Sequence, residues 1–196
     1  MREGKVLPVM EEFYTLQGEG FNTGQAAYFI RVGGCDVGCK WCDVKESWNA
    51  CDFPPVSTDL VVTHAMAYPA KAIVVTGGEP LLYNMDYLCD ELHRRDIRIF
   101  LETSGSQPLS GTWDWICLSP KKQQPPIDGI HMKADELKVI ISSKEDLDWA
   151  EINSNLVKSN CQLFLQPEWS NFNVTIQWLT DYVMYNPKWK INCPYK

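Results

Sequence analysis

The sequence predicts an α/β fold built on a parallel sheet, and three observations carry that prediction. Short β-branched or aromatic runs bounded by turn residues alternate with apolar stripes at helical spacing. Runs such as Ile73-Val74-Val75 and Val139-Ile140-Ile141 are apolar at consecutive positions, hence on both faces, as in buried parallel strands. Two intervals, 35–55 and 104–113, break the rhythm: they are rich in turn formers and lack a clear helix. Loops at the carboxyl ends of strands are where such folds place their chemistry.

Taken in order, an opening run at 9–16 pairs beside or leads into the first strand, 27–32. Further strands are expected at 72–76, 97–102, 115–118, 137–141 and 162–166. A weak helix pattern covers 58–67. Met85, Leu88, Cys89 and Leu92 fall at i, i+3, i+4 and i+7 behind a possible Asn84 cap. Ser143 with Asp146 resembles a capping box opening a helix to about Val157. Val174, Trp178, Tyr182 and Tyr185 form a last stripe, ended by Asn186-Pro187. No repeat, low-complexity tract or long linker interrupts this pattern, so residues 1–196 are expected to form a single domain.

Composition narrows the function. Net charge is −7, which disfavours non-specific nucleic-acid binding and favours a small-molecule substrate. No run of about 18 apolar residues is present, so no membrane span is expected. The opening Met1-Arg2-Glu3-Gly4-Lys5 lacks signal-peptide character, and a cytoplasmic location is the expectation. Three of the 8 cysteines crowd into Cys35–x3–Cys39–x2–Cys42, flanked by Gly33, Gly34 and Gly38. In a reducing compartment such a cluster reads as a metal site rather than disulfides. Spacing alone allows two centres. One is a closed zinc site with Cys51 or His64 as fourth ligand; the other is an iron–sulfur cluster with one corner open. Cys89 and Cys117 sit in apolar patterns and read as small buried hydrophobes.

Cys35-x3-Cys39-x2-Cys42, with the aromatic Trp41 before the last cysteine, resembles the signature of the radical S-adenosylmethionine superfamily. Thr76-Gly77-Gly78-Glu79-Pro80 follows a strand, where that family has its second motif. The resemblance implies a [4Fe-4S] cluster on Cys35, Cys39 and Cys42, whose open iron chelates the methionine of S-adenosyl-L-methionine. It places Trp41, Asp43, Gly77, Gly78 and Glu79 around that cofactor. Glu79 would either accept from the cofactor's ammonium or order the turn.

Further segments resemble one branch, the 7-carboxy-7-deazaguanine synthases. These are Tyr14-Thr15-Leu16-Gln17-Gly18-Glu19-Gly20, Phe29-Ile30-Arg31-Val32, Glu102-Thr103-Ser104-Gly105, Leu118-Ser119-Pro120-Lys121 and Leu165-Gln166-Pro167-Glu168. The branch implies substrate contacts from Leu16, Gln17, Gly18, Glu19, Arg31, Thr76 and Lys196, with Arg31 on a substrate carboxylate. It implies cofactor contacts from Ser104, Ser119, Pro120, Lys121, Gln166, Pro167 and Glu168.

The implied fold is an abridged partial (β/α)6 barrel with its cluster loop after the first barrel strand. The implied reaction converts 6-carboxy-5,6,7,8-tetrahydropterin to 7-carboxy-7-deazaguanine by ring contraction with loss of ammonia, in queuosine biosynthesis. A homodimer and a flavodoxin- or ferredoxin-type electron donor are implied with it. Two departures stand out. Val44 replaces the threonine that ligates Mg2+ in that branch, and Ile191-Asn192-Cys193-Pro194-Tyr195-Lys196 replaces its Gln-Thr-His-Lys-like ending. Two rival functions share parts of the pattern: a glycyl-radical-enzyme activase and a non-catalytic zinc-binding module.

Overall fold

Strand β1 (Val6–Leu16) turns back into β2 (Ala26–Val32), and the pair is antiparallel with Phe13 opposite Phe29. These two rings stack at 5.1 Å. The structure is a computed structural model, described here over residues 3–193. A short strand, β3 (Pro55–Ser57), pairs with the outer side of β1 and leads into α1 (Thr58–Met66). Then follow β4 (Ala72–Gly77), α2 (Asp86–His93), β5 (Arg98–Thr103), β6 (Trp115–Leu118) and β7 (Glu136–Ile141). The chain continues through α3 (Asp146–Ser154), β8 (Gln162–Pro167), α4 (Phe172–Tyr185) and β9 (Trp189–Ile191).

The result is a mixed α/β fold on a nine-stranded sheet ordered β3-β1-β2-β4-β5-β6-β7-β8-β9. All neighbouring pairs from β2 to β9 are parallel. The six strands expected after the opening run are therefore present, and that run is the antiparallel neighbour of β2. Strands β3 and β9 were not expected, because three-residue runs carry too little periodicity to read.

Side-chain alternation gives the two faces different duties. Tyr28, Ile30, Val32, Ile73, Val75 and Ile99 point to the face covered by α1 and α2, where Val61, Val62, Leu88 and Leu92 complete one core. Around β6–β8 a second core gathers Leu118, Leu137, Val139, Ile141 and Leu165 with Ala150 and Leu179 from α3 and α4. On the opposite face of the first strands lies a smaller patch of Ala27, Phe29, Ala72, Val74 and Phe100. Helices thus close one face and leave the other available for a cavity.

The expected caps are corrected: the N-cap positions of α2 and α3 are Met85 and Glu145, which make no side-chain cap bond, and the expected residues bond to nearby backbone instead. Asn84 Oδ1 accepts from the Asp86 N–H at 3.0 Å, and the Asp146 carboxylate reaches back to the N–H groups of Ser142 and Ser143. The last stripe is corrected: Val174 and Tyr185 are exposed, while Thr175 and Leu179 are buried and Trp178 and Tyr182 pack beside them. Packing against the sheet selects a face that includes Thr175, a polar residue a hydrophobic count cannot flag. Cys89 and Cys117 are buried, as their apolar surroundings predict.

The tip of the β1–β2 hairpin crosses to the far end of the sheet. Gly20 N–H donates to Asn192 Oδ1 at 2.9 Å, just beyond β9, and Phe21 N–H donates to Glu136 Oε2 at 3.0 Å on β7. Phe21 also stacks on Trp115 of β6 at 4.9 Å. These side-chain and loop contacts tie the hairpin tip to the β6–β9 side of the sheet.

Candidate active site

The cysteine loop leaves the end of β2, first of the parallel strands, and the backbone around it holds its shape. Gly34 N–H donates to Ser47 O at 2.6 Å and Cys35 N–H to Trp48 O at 3.1 Å, so the following segment folds back as a brace. Tyr83 donates its hydroxyl to Gly33 O at 2.7 Å from the other side. Gly34 has φ +97, a left-handed conformation open to glycine. The Gly77-Gly78 turn presses directly on this loop. Glu79 N–H donates to Gly34 O at 2.8 Å, and a Cβ on Gly78 would lie 2.0 Å from that same oxygen.

Glu79 is buried beneath the turn. Its carboxylate accepts from Thr103 Oγ1 at 2.6 Å, Leu81 N–H at 3.1 Å, and the N–H and hydroxyl of Ser104 at 2.8 and 2.5 Å. Four donors fill both oxygens, so this carboxylate orders the turn. It does not face the cavity.

That cavity has a volume of about 470 Å³ and sits at the carboxyl ends of the parallel strands, on the face without helices. All three thiols of the cysteine loop line it. Burial pushes the Cys35 and Cys39 thiols up, and the Lys121 ammonium pulls Cys39 partly back. Among the described residues, no three His, Cys, Asp or Glu side chains converge on one point where a single ion would sit. His64 is instead paired with Glu12 at 3.1 Å on α1, and Cys51 is exposed; neither lines the cavity. Three thiols spread around a roomy wall suit a multi-iron centre better than a mononuclear zinc site. Trp48 also lines the cavity, while its indole N–H is buried away from it and has no protein acceptor.

The opposite wall is charged. Glu102, Cys117 and Glu136 form a row across β5, β6 and β7, and Lys138 is the next residue of β7 on that face. Its ammonium lies 2.7 Å from Glu19 and 2.9 Å from Glu102, with the lysine side chain only 7 % exposed. Burial alone would depress the pKa of Lys138, but the surrounding groups hold it well above the usual lysine value. Cys117, itself pushed up by burial, is a neutral thiol near pH 7, so the carboxylates carry this effect. Lys138 in turn holds Glu19 below the usual carboxylate range, while burial raises Glu136. Arg31 and Thr76 are register partners on β2 and β4 and both line the cavity, with Arg31 Nε 2.6 Å from Glu11.

A family model described as the Radical SAM superfamily matches residues 29–117, which span the cysteine loop and the Gly77-Gly78 turn. A 7-carboxy-7-deazaguanine synthase from Flavobacterium psychrophilum is 54 % identical over 98 % of this chain and 91 % of that protein. The chain belongs to the 7-carboxy-7-deazaguanine synthase family. A Synechocystis member is 42 % identical over 94 % of this chain and 88 % of its own length. A crystal structure of QueE from Escherichia coli superposes with a TM-score of 0.81 at 28 % identity, over 97 % of this chain and 95 % of that one.

Against this family background, the cavity gathers nearly all the residues expected from sequence. Leu16, Gln17, Gly18 and Glu19 come from the β1–β2 hairpin, and Trp41 and Asp43 from the cysteine loop. Gly77, Gly78, Ser104, Ser119, Lys121 and Gln166 follow from successive strand ends. Pro167 and Glu168 line a side recess of about 50 Å³ that shares Trp41, Asp43 and Gln166 with the cavity. Pro120 does not line the cavity, and its carbonyl accepts from Trp149 Nε1 at 3.3 Å. Lys196 lies outside the described residues. Sequence reasoning missed Lys138. The available signal was a lone lysine inside Leu137-Lys138-Val139-Ile140-Ile141, a strand that is otherwise apolar on both faces.

Proposed function

We propose that this chain is a 7-carboxy-7-deazaguanine synthase that converts 6-carboxy-5,6,7,8-tetrahydropterin to 7-carboxy-7-deazaguanine with loss of ammonia. The observation that carries the reading is that the cysteine loop, the glycine turn and the Gln17–Glu19 hairpin all face one cavity. Cys35, Cys39 and Cys42 would hold a [4Fe-4S] cluster, and the cavity they line would take S-adenosyl-L-methionine and the substrate. When bound, these groups supply the carbon-centred radical that initiates the reaction.

The chain's own part is binding, orientation and exclusion of water. Arg31 would take the substrate carboxylate, since its guanidinium fork fits that geometry. Glu19 and Glu102, pinned by Lys138, would offer fixed acceptors to the N–H groups of the pterin. Ser119, Lys121 and Gln166 would hold the nucleoside part of the cofactor, with Pro167 and Glu168 shaping the adjoining recess. Gly77 and Gly78 would let backbone approach the methionine as well as the cysteine loop.

We read the sheet as an abridged partial barrel and residues 1–196 as one domain, which the hairpin-to-β9 contacts support. A homodimer, a flavodoxin- or ferredoxin-type donor and a cytoplasmic setting complete the proposal; no helix of the described residues is long and apolar enough to cross a membrane. The residues do not favour a magnesium ligand at position 44. Val44 lines the cavity with hydrocarbon, and magnesium demands oxygen. The test is anaerobic incubation of the iron-reconstituted protein with the carboxytetrahydropterin and S-adenosylmethionine, followed by mass spectrometry. Appearance of 7-carboxy-7-deazaguanine supports the reading; a brown, cofactor-cleaving protein that leaves the pterin unchanged overturns it.

A further inference from the structure

The loop after β6 makes a contact with the cysteine loop that the proposed reaction does not by itself require. Gln123 Nε2 lies 3.1 Å from Cys39 Sγ, with the amide N–H groups as the only donors available to that sulfur from this side chain. Gln123 is exposed, so water competes with it, and its placement depends on the loop. That loop is fixed at three points. Lys121 and Gln124 form a backbone bridge on either side of Gln123. The Lys121 ammonium is bound to the Ser119 carbonyl and hydroxyl at 2.6 and 2.5 Å and lies over the Trp41 ring at 5.6 Å. Gln124 Nε2 donates to Asp36 Oδ2 at 2.7 Å, and Gln107 from the preceding loop donates to the same oxygen at 2.6 Å. Asp36 lies directly after Cys35, so the cysteine loop and two strand-end loops form one tied unit.

We propose that Gln123 is a positioning residue that raises the reduction potential of the centre held by Cys39, through an N–H···S hydrogen bond. The inference rests on the cluster reading given above. The step concerned is the one-electron reduction of that centre by an external low-potential donor, which loses the electron the centre gains. The added electron increases negative charge on the irons and their sulfur ligands. A donor dipole aimed at one cysteinyl sulfur therefore stabilises the reduced form more than the oxidised form. Gln124 provides an internal control, since its amide is one residue away but bonds to Asp36 rather than to sulfur.

The experiment uses the full chain, reconstituted with iron and sulfide, and titrates potential under electron paramagnetic resonance without S-adenosylmethionine. At equal iron content, Gln123→Leu is expected to lower the ratio of reduced to oxidised centre at a fixed potential by roughly threefold, the scale of one net hydrogen bond. That corresponds to a shift of about 30 mV to more negative values for a one-electron couple. Gln124→Leu is expected to shift the potential by well under half as much, because the backbone bridge and Lys121 still hold the loop. A fully loaded Gln123→Leu with the parent potential overturns the inference, and so does an equal shift in Gln124→Leu, which would assign the effect to loop closure.

A second measurement does not depend on the variant loading its centre. Glutamine side-chain 15N labelling of the parent should give a nuclear coupling to the reduced centre in pulsed resonance, and absence of that coupling overturns the inference. A parent protein that assembles no four-iron centre instead refutes the cluster reading, and this inference with it.

Discussion

Replacing Lys138 with methionine removes the one ammonium that joins Glu19 and Glu102 in the cavity wall. The substitution shortens the side chain by one atom and fits a strand that is apolar on its other face. Removing one partner of a buried ion pair costs about 3–5 kcal/mol, because the other charge is left uncompensated. Here the orphaned carboxylates retain some water: the Glu102 and Glu19 side chains are 21 % and 32 % exposed. The lower end, about 3 kcal/mol, is therefore expected at pH 7.5.

The pH dependence follows from the directions of the shifts. Lys138 is raised on folding, so its contribution is complete below the ordinary lysine value of 10.5 and is lost only above it. Glu19 is lowered, so its contribution is present above the ordinary value of 4.5 and fades as pH falls through its folded value. Both are fully expressed at pH 7.5. In Lys138→Met the lysine's charge is gone and burial dominates Glu19, raising it, so protonation on acidification now relieves strain. The deficit should shrink by roughly half between pH 7.5 and 5.5. Urea unfolding of parent and variant at both pH values measures this, and Glu102→Gln in the variant background should recover at least about 1 kcal/mol. A loss below 1 kcal/mol, or one that grows as pH falls, would refute the reasoning.

Other substitutions probe the rest of the site. Cys35→Ala, Cys39→Ala and Cys42→Ala should each abolish assembly of the four-iron centre, whereas Cys51→Ala should match the parent in iron content and visible absorption. Arg31→Ala should raise the KM for the pterin by roughly 30-fold, about 2 kcal/mol, with little change in uncoupled cleavage of S-adenosylmethionine. Calorimetry showing unchanged pterin binding would remove Arg31 from that role. Gly78→Ala places a Cβ 2.0 Å from Gly34 O and 3.0 Å from the Cys35 Cβ, so the cysteine loop must shift and iron loading should fall sharply. Turnover in a chelator should drop by less than about tenfold, and Val44→Thr should make the rate more responsive to free magnesium. Inactivity without the ion, with identical behaviour in Val44→Thr, would place magnesium on other ligands.

Much of this protein was legible along the chain because its signals are local. Strand alternation, the local backbone bonds of the Asn84 and Asp146 side chains and the three-cysteine spacing are set by neighbours within a few residues. The motifs at successive strand ends were legible for a related reason: a parallel sheet brings all its carboxyl ends to one side, so order in sequence becomes proximity in space. Tertiary structure decided what depends on distant partners. It assigned Glu79 to the turn, because Thr103 and Ser104 arrive there from the next strand. It rotated the inward face of α4 toward Thr175, since packing against the sheet selects the face. It also made Lys138 part of the cavity wall. A lysine within an apolar strand is costly until Glu19, 119 residues earlier, and Glu102, 36 residues earlier, close on its ammonium. Sequence order was enough to gather the motif-bearing strand ends around one cavity, whereas the pairing of buried charges required the fold that desolvates them together.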